Sequence, residues 1–480
     1  MRTLLYSLVG ILACALLIWG GVFAYSKYGK GKKPTTVARK APSASRAIFG
    51  GAADPSSSRS IPAAPARESR PETPRSGASG NFSSFDGDSD FANFNPDKEF
   101  EDGELVVIDP PSNFSDAVRR LGFTVLEQSR LDALALTVYR VRVPRGVSVP
   151  DARRQLLSRF PDATIDANHR FDPSQERRRR SPRRTRRTRR GTAPATAPTS
   201  RRRGKTLSVA RAAVGWKNVP ANCGKGVRIG MVDSGIDLKH PALLGQKIEF
   251  RSFHNPKRRK GPAAHGTAVA AMLIGKPSEK GWGGLLPGAQ LVAANMFELD
   301  RTGRKVGNTI ALLKSLNWLL KKKVHAVNLS VAGSDNKVLR KAMDKLRKKG
   351  LVMIASAGNW ARNDRPAFPA AYGHVVAVTA VGAYRSIYSQ ANQGNYIDFA
   401  APGVKMLTAA PGGGVRRQSG TSFATPYLTA LMALEVARGG KKSPNALRRT
   451  FSKSVFDLGS PGRDKIFGWG FIEKKPNCRI

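Results

Sequence analysis

The sequence predicts an α/β fold built on a doubly wound parallel sheet, preceded by a smaller α+β unit. Three observations carry this. From Gly226 onward, short apolar runs rich in Val and Ile alternate with helical stretches, the pattern of a parallel sheet covered on both faces. Upstream, about 70 residues read β-α-β-β-α-β, a ferredoxin-like order and a size only marginally stable alone. Stretches without apolar periodicity flank that unit on both sides.

Taken in order, residues 1–25 open with Arg2 and an apolar run from Leu4 to Trp19, with small residues up to Ala24. A secretory signal cut after Ala24 fits, and so does a membrane anchor of roughly 20 residues. Lys27, Lys30, Lys32 and Lys33 favour the opposite orientation, with the bulk of the chain in the cytoplasm. Residues 26–98, rich in Ser, Pro, Ala, Gly and Arg, read as a disordered linker that turns acidic at its end, from Asp86 to Glu104.

Order begins near Glu104 in the α+β unit, residues 99–172. Leu105–Ile108 reads as a strand, Ser112–Leu121 as a helix capped by Ser112, and Phe123–Leu126 as strand-like. Ala135–Val143 is a strand alternating through Leu136, Val138 and Val141, and Val149–Phe160 is a helix with Ala152, Leu156 and Leu157 on one face. Thr164–Ala167 is a last short strand. Residues 173–205 form an Arg-rich linker, with ten arginines among the fourteen residues from Arg177 to Arg190. Such a run is read first as a solvated tether, with a polyanion-binding arm or a cleavable activation segment as the alternatives.

In residues 206–480 the strands are Val227–Val232, Gln290–Met296, Val324–Leu329, Leu351–Ser356 and Val375–Val381. Helices are expected at Thr309–Lys322, where Ile310, Leu313, Leu316, Leu319 and Leu320 make one stripe, and at Lys337–Lys349. Open parallel sheets place their sites at the carboxyl ends of strands. Asp233 stands at such an end, although a lone Asp there is ordinarily a turn residue. His265 directly precedes a small-residue helix, Ala268–Leu273, whereas His169, His240, His254, His325 and His374 read as structural or turn residues. Ser422 lies where a Gly-rich turn enters an apolar helix, Phe423–Ala437. A cap explains it, but that place also suits a nucleophile facing free backbone N–H groups. Asn359 ends a strand and is a side-chain donor for an oxyanion if it meets the others.

Together, Asp-Ser-Gly at 233–235, His-Gly-Thr at 265–267, Ala-Gly-Asn at 357–359 and Gly-Thr-Ser-Phe-Ala-Thr-Pro at 420–426 resemble the subtilisin-like serine proteases, the subtilases, in that chain order. The resemblance runs from about 206 to 474. It implies a serine endopeptidase with Ser422 as nucleophile, His265 as general base, Asp233 orienting the imidazole, and Asn359 in the oxyanion hole. By the same resemblance Ser330, Val331, Ala332, Gly333, Ala357 and Gly358 line a cleft that pairs with the substrate backbone as an added strand. The upstream unit then looks like the family's propeptide, a chaperone and inhibitor cut from the protease within 172–205. Ala332 stands where the family commonly has Gly, which implies a narrower cleft, and Phe423 where it commonly has Met. The family often binds calcium. No clustered carboxylates make a convincing site here, so no cofactor is expected and no metal site is identified, with structural calcium left open by the resemblance.

Three cysteines exclude a disulfide scaffold, and no C-x-x-C suggests zinc. Cys223 and Cys478 are either bridged or two unlinked thiols; Cys14 sits in the apolar run. The resemblance favours export: periplasmic, membrane-anchored or secreted. The net charge of +47 first suggests a nucleic acid or an anionic surface. From Lys205 onward, however, there are 45 Lys/Arg and 14 Asp/Glu, so +31 is spread over the body rather than confined to an arm. That fits contact with anionic envelope surfaces or acidic substrates. Without aromatic interleaving or a reading motif, no sequence-specific nucleic-acid binding is expected.

Overall fold

The structure, a computed structural model, describes residues 99–173, 214–216, 219–277, 283–440 and 442–479. The expected leader or anchor at 1–25, the linker at 26–98 and the arginine run lie outside the described residues. Among the described residues no helix is long and apolar enough to cross a membrane.

The N-terminal unit comprises β1 (Phe100–Ile108), α1 (Phe114–Arg120), β2 (Thr124–Leu131), β3 (Leu136–Arg142), α2 (Val149–Arg159) and β4 (Thr164–Pro173). Its strands are antiparallel in the order β2-β3-β1-β4. Ser148 caps α2 by accepting from Asp151 N, but Ser112 does not cap α1: Asn113 holds that position, without a side-chain bond. Two strands are longer than their hydropathy. β1 starts at Phe100 because Glu101 and Glu104 are buried against arginines, and β4 runs past Ala167 to Pro173 because other strands pair with its far half.

The alternation in β3 also differs from expectation. Leu136 and Val138 share one face, while Val141 lies on the other with Tyr139. Both faces are apolar because both are covered. Leu105, Val107, Tyr139 and Val141 pack with α1 and α2, whereas Val106, Ile108, Leu136 and Val138 join the core of the larger body.

That body contains β5 (Arg228–Asp233), β6 (Ile248–Ser252), β7 (Arg259–Lys260), α3 (Ala264–Ile274), β8 (Gln290–Asn295), β9 (Glu298–Leu299), β10 (Lys305–Asn308) and α4 (Thr309–Lys321). Then follow β11 (Ala326–Leu329), β12 (Val331–Gly333), α5 (Lys337–Lys348), β13 (Val352–Ser356), β14 (Val376–Val381), β15 (Phe399–Pro402), β16 (Met406–Ala410) and β17 (Gly414–Gln418). The chain closes with α6 (Thr421–Ala437), α7 (Pro444–Phe451), β18 (Val455–Phe456) and β19 (Phe471–Ile472). The central sheet has the order β18-β19-β15-β14-β13-β11-β5-β8-β6, parallel from β19 to β6. β5 lies between β11 and β8, where the winding reverses, the place at which such sheets open a crevice. Helices α3 and α6 pack into one core and α4 and α5 into the other, so the sheet is covered on both faces.

Cys223 and Cys478 are joined in a disulfide that spans 255 residues and ties the two ends of this body together.

Candidate active site

Asp233 is the last residue of β5 and is fully buried. Its Oδ1 accepts from Ser234 N at 2.6 Å and from His265 Nδ1 at 2.7 Å. His265 does not precede its helix: α3 begins at Ala264, so the ring projects from the first turn. The helix starts early because Gly266 packs on the strand end. A Cβ there would lie 2.5 Å from the carbonyl oxygens of Ser234 and Gly235, and Gly266 N donates to Ser234 Oγ. With Nδ1 donating to the carboxylate, Nε2 is the acceptor, and Ser422 Oγ lies 2.7 Å from it. The ring is flanked by Phe423, 5.2 Å between centroids.

Ser422 is the second residue of α6, entered through Gly420 at φ 152°. A first-turn N–H has no acceptor within its own helix and carries the positive end of the helix dipole. Asn359 stands beside it. Its Oδ1 accepts from both N and Oγ1 of Thr421 at 3.0 Å, which fixes the amide orientation. Its Nδ2 is buried without a partner, and a buried donor left open in this way suits a charge that appears only during a reaction. Chemically, the set can deprotonate a serine oxygen and stabilise an anion next to it.

The remaining predicted residues fall around this point. Ala357 and Gly358 follow β13. Gly358 adopts φ +97°, a conformation for which glycine is the suited residue. Ser330 links β11 to β12, its hydroxyl accepting from Asn328 Nδ2. Val331, Ala332 and Gly333 form β12, but that edge is occupied: they pair antiparallel with Pro173, Asp172 and Phe171 of β4. On its other side β4 pairs with β10, Phe171 with Gly307 and Arg170 with Asn308. The pairing continues through Ala332, so its methyl group does not close the groove. Phe171 is fully buried, and a Cβ on Gly333 would come within 2.5 Å of its ring.

Sequence reasoning missed several positioning residues. Asn392 holds the turn after Asn359, accepting from Trp360 N at 2.8 Å and donating to Arg365 O. Tyr396 donates to Ala357 O at 2.6 Å. Thr421 would have been legible only as the neighbour of Ser422. Glu101 pairs with Arg258, which also reaches Glu298, and Glu99 meets Arg365 and Ser334. Burial pushes the Glu101 carboxyl up, yet Arg258 and Arg170 hold it below the usual range. His240, His325 and His169 are structural, each bonded to backbone or to an amide. Among the described residues no group of three or more His, Cys, Asp or Glu gathers as a metal site.

The fold and this crevice define the class: a doubly wound α/β body with Asp, His and Ser converging at the carboxyl edge of its sheet. The family model for the subtilases matches residues 224–470, and the chain belongs to that family. It is 32% identical over 253 residues to the minor extracellular protease Epr of Bacillus subtilis, covering 52% of this chain and 38% of that one. It is 29% identical to the major intracellular serine protease of the same organism, covering 44% and 68%. Among solved structures, fervidolysin from Fervidobacterium pennivorans, a keratinolytic enzyme related to subtilisin, aligns with a TM-score of 0.60 at 20% identity. That alignment covers 78% of this chain and 61% of fervidolysin, and it speaks to fold alone.

Proposed function

We propose that the protein is a serine endopeptidase made as a precursor. The observation that carries this reading is the continuous Asp233–His265–Ser422 hydrogen-bonded line beside the open Asn359 amide. Ser422 Oγ attacks the scissile carbonyl carbon while its proton passes to His265 Nε2. Asp233 remains ionised, holds the tautomer and stabilises the imidazolium. The oxyanion is met by Asn359 Nδ2 and the Ser422 backbone N–H. Collapse breaks the C–N bond, and His265 returns the proton to the leaving amine. Water then attacks the acyl-serine, His265 again takes the proton, and the acid product leaves with Ser422 restored. No metal or cofactor enters any step.

The N-terminal unit, 99–172 with Pro173, serves in this reading as propeptide, chaperone and inhibitor, since β4 fills the groove between β10 and β12 as a substrate strand would. The 78% alignment with fervidolysin, more of this chain than the body from residue 206 supplies, supports a shared two-part fold. Self-cleavage within 172–205 would release it. Export is supported by the disulfide, which belongs to an oxidising compartment, and the basic body would meet anionic envelope surfaces there.

A fluorophosphonate probe tests the reading. Wild-type protein labels, and Ser422→Ala does not. Well-folded wild type that takes no label defeats it.

A further inference from the structure

The family's general peptidase chemistry does not say which peptides this cleft takes, but β4 is a peptide already seated in it. Alternate side chains of a strand face opposite ways. Phe171 points into the body, and Asp172 points to the hairpin formed by β9 and β10. There both Asp172 carboxylate oxygens accept from Arg304 Nη2 at 2.9 Å.

The hairpin is built to hold that guanidinium. Asp300 Oδ1 accepts from Thr302 N, Thr302 Oγ1 and Arg304 N, and Asp300 N closes the turn on Arg304 O. Arg304 therefore projects from a pinned turn rather than from a loose loop, although its own side chain is exposed. Next in sequence, half-buried Lys305 begins β10 and lies within electrostatic reach of both Asp172 and Asp233. Burial lowers its pKa, against the pull of those two carboxylates. With β4 withdrawn, Arg304 loses its carboxylate and Lys305 keeps only Asp233.

Resting on the peptidase reading, we propose that Arg304 and Lys305 determine specificity: the cleft selects peptides with a carboxylate side chain at the place of Asp172, next to an aromatic residue at the place of Phe171. A peptide bound between β10 and β12 in the register of β4 sets that side chain against Arg304. A basic residue there meets two cations.

The test uses the full-length chain, with active sites counted by fluorophosphonate labelling. Four peptides span residues 169–178 of this sequence and carry Asp, Asn, Ala or Lys at position 172. The expected order of kcat/KM is Asp, Asn, Ala, Lys, with Asp above Lys by on the order of tenfold or more, as for a charge-assisted contact. The ratio falls towards one in Arg304→Ala and reverses in Arg304→Glu. Lys305→Met lowers it partway. Equal cleavage of all four peptides by labelled wild type overturns the proposal, as does an unchanged ratio in Arg304→Glu. A wild type that neither labels nor cleaves defeats the peptidase reading instead. The subsite is then read in the Ser422→Ala chain, whose uncut β4 still fills the cleft: hydrogen-exchange protection of the Ala332 amide falls in Asp172→Lys and recovers when Arg304→Glu is added, whereas equal protection in the three chains overturns the proposal.

Discussion

The N-terminal unit and the larger body solve the problem of burial differently. The body covers both faces of its sheet with its own helices and staples its ends with a disulfide. The smaller unit covers one face with α1 and α2 and leaves the other to the body, where Ile108, Leu136 and Val138 join one apolar core with residues of α4 and α5. Polar contacts fix the seat: Leu134 N donates to Asn317, Lys337 N at the start of α5 to Asp166, and Asn336 Nδ2 to Ala167 O. A unit whose second face is borrowed depends on its host, while the host keeps its sheet covered by its own helices when the unit leaves. That asymmetry suits the propeptide role proposed above.

The sharpest way to separate the two regions is through the chemistry, which the body alone carries. Ser422→Ala should lower peptide cleavage by on the order of a millionfold, the scale seen when the nucleophile of such a triad is lost. Intact-mass analysis should then find the junction between the regions uncut. A junction cleaved in Ser422→Ala protein purified without other proteases would move the cutting to another agent. Next in size is the staple. By the chain-entropy argument, closing a loop of 255 residues stabilises by about 5 kcal/mol. Cys223→Ser with Cys478→Ser should lower the unfolding midpoint of the body in denaturant. An unmoved midpoint would mean that the body's core alone sets its stability.

Legibility followed the same division. The five body strands expected from Val- and Ile-rich runs lie within a residue or two of where they fall, because buried parallel strands are apolar on both faces. The four site residues were legible only as motifs: nothing in the spacing of 233, 265, 359 and 422 says that they meet. The far half of β4, the β9–β10 hairpin and the buried Glu101 were not legible. β4 pairs with β10 and Glu101 with Arg258 more than a hundred positions away, and the hairpin, though local, is too short to show a period, so hydropathy carries no trace of these pairings. Asn392 and Tyr396 act through single hydrogen bonds on backbone turns, which leave no periodic signal either.

Smaller than the loss of the nucleophile is the loss of the oxyanion donor. Asn359→Ala should reduce kcat by roughly a hundred- to a thousandfold with KM little changed, because Nδ2 has no ground-state partner to lose. A loss that falls mainly in KM would instead assign Asn359 to substrate positioning. Thermal unfolding controls for the second role of this side chain, since its Oδ1 also holds Thr421.

The weakest effect lies at the seam between the regions and depends on pH. His169, on β4, accepts from Asn336 Nδ2 at its Nδ1, so the seated ring is neutral at that atom. Burial holds its pKa below the ordinary imidazole value, although Asp166 and Glu99 pull the other way and Arg153 adds to the lowering. A histidine whose pKa is depressed in the docked state contributes stability that is complete above about 6.5 and declines as pH falls, since the released strand takes up the proton first. Glu101, also held below its usual range, acts in the same direction in a more acidic window. In the Ser422→Ala chain, hydrogen-exchange protection of the Ala332 amide, corrected for intrinsic rates, should therefore fall below pH 6.5, by at most about tenfold per pH unit for one proton. His169→Gln keeps a hydrogen-bonding side chain without a titration and should flatten that portion of the profile. Equal slopes in the two proteins between pH 5 and pH 6.5 would take His169 out of the seam's acid response and leave the carboxylates to account for it.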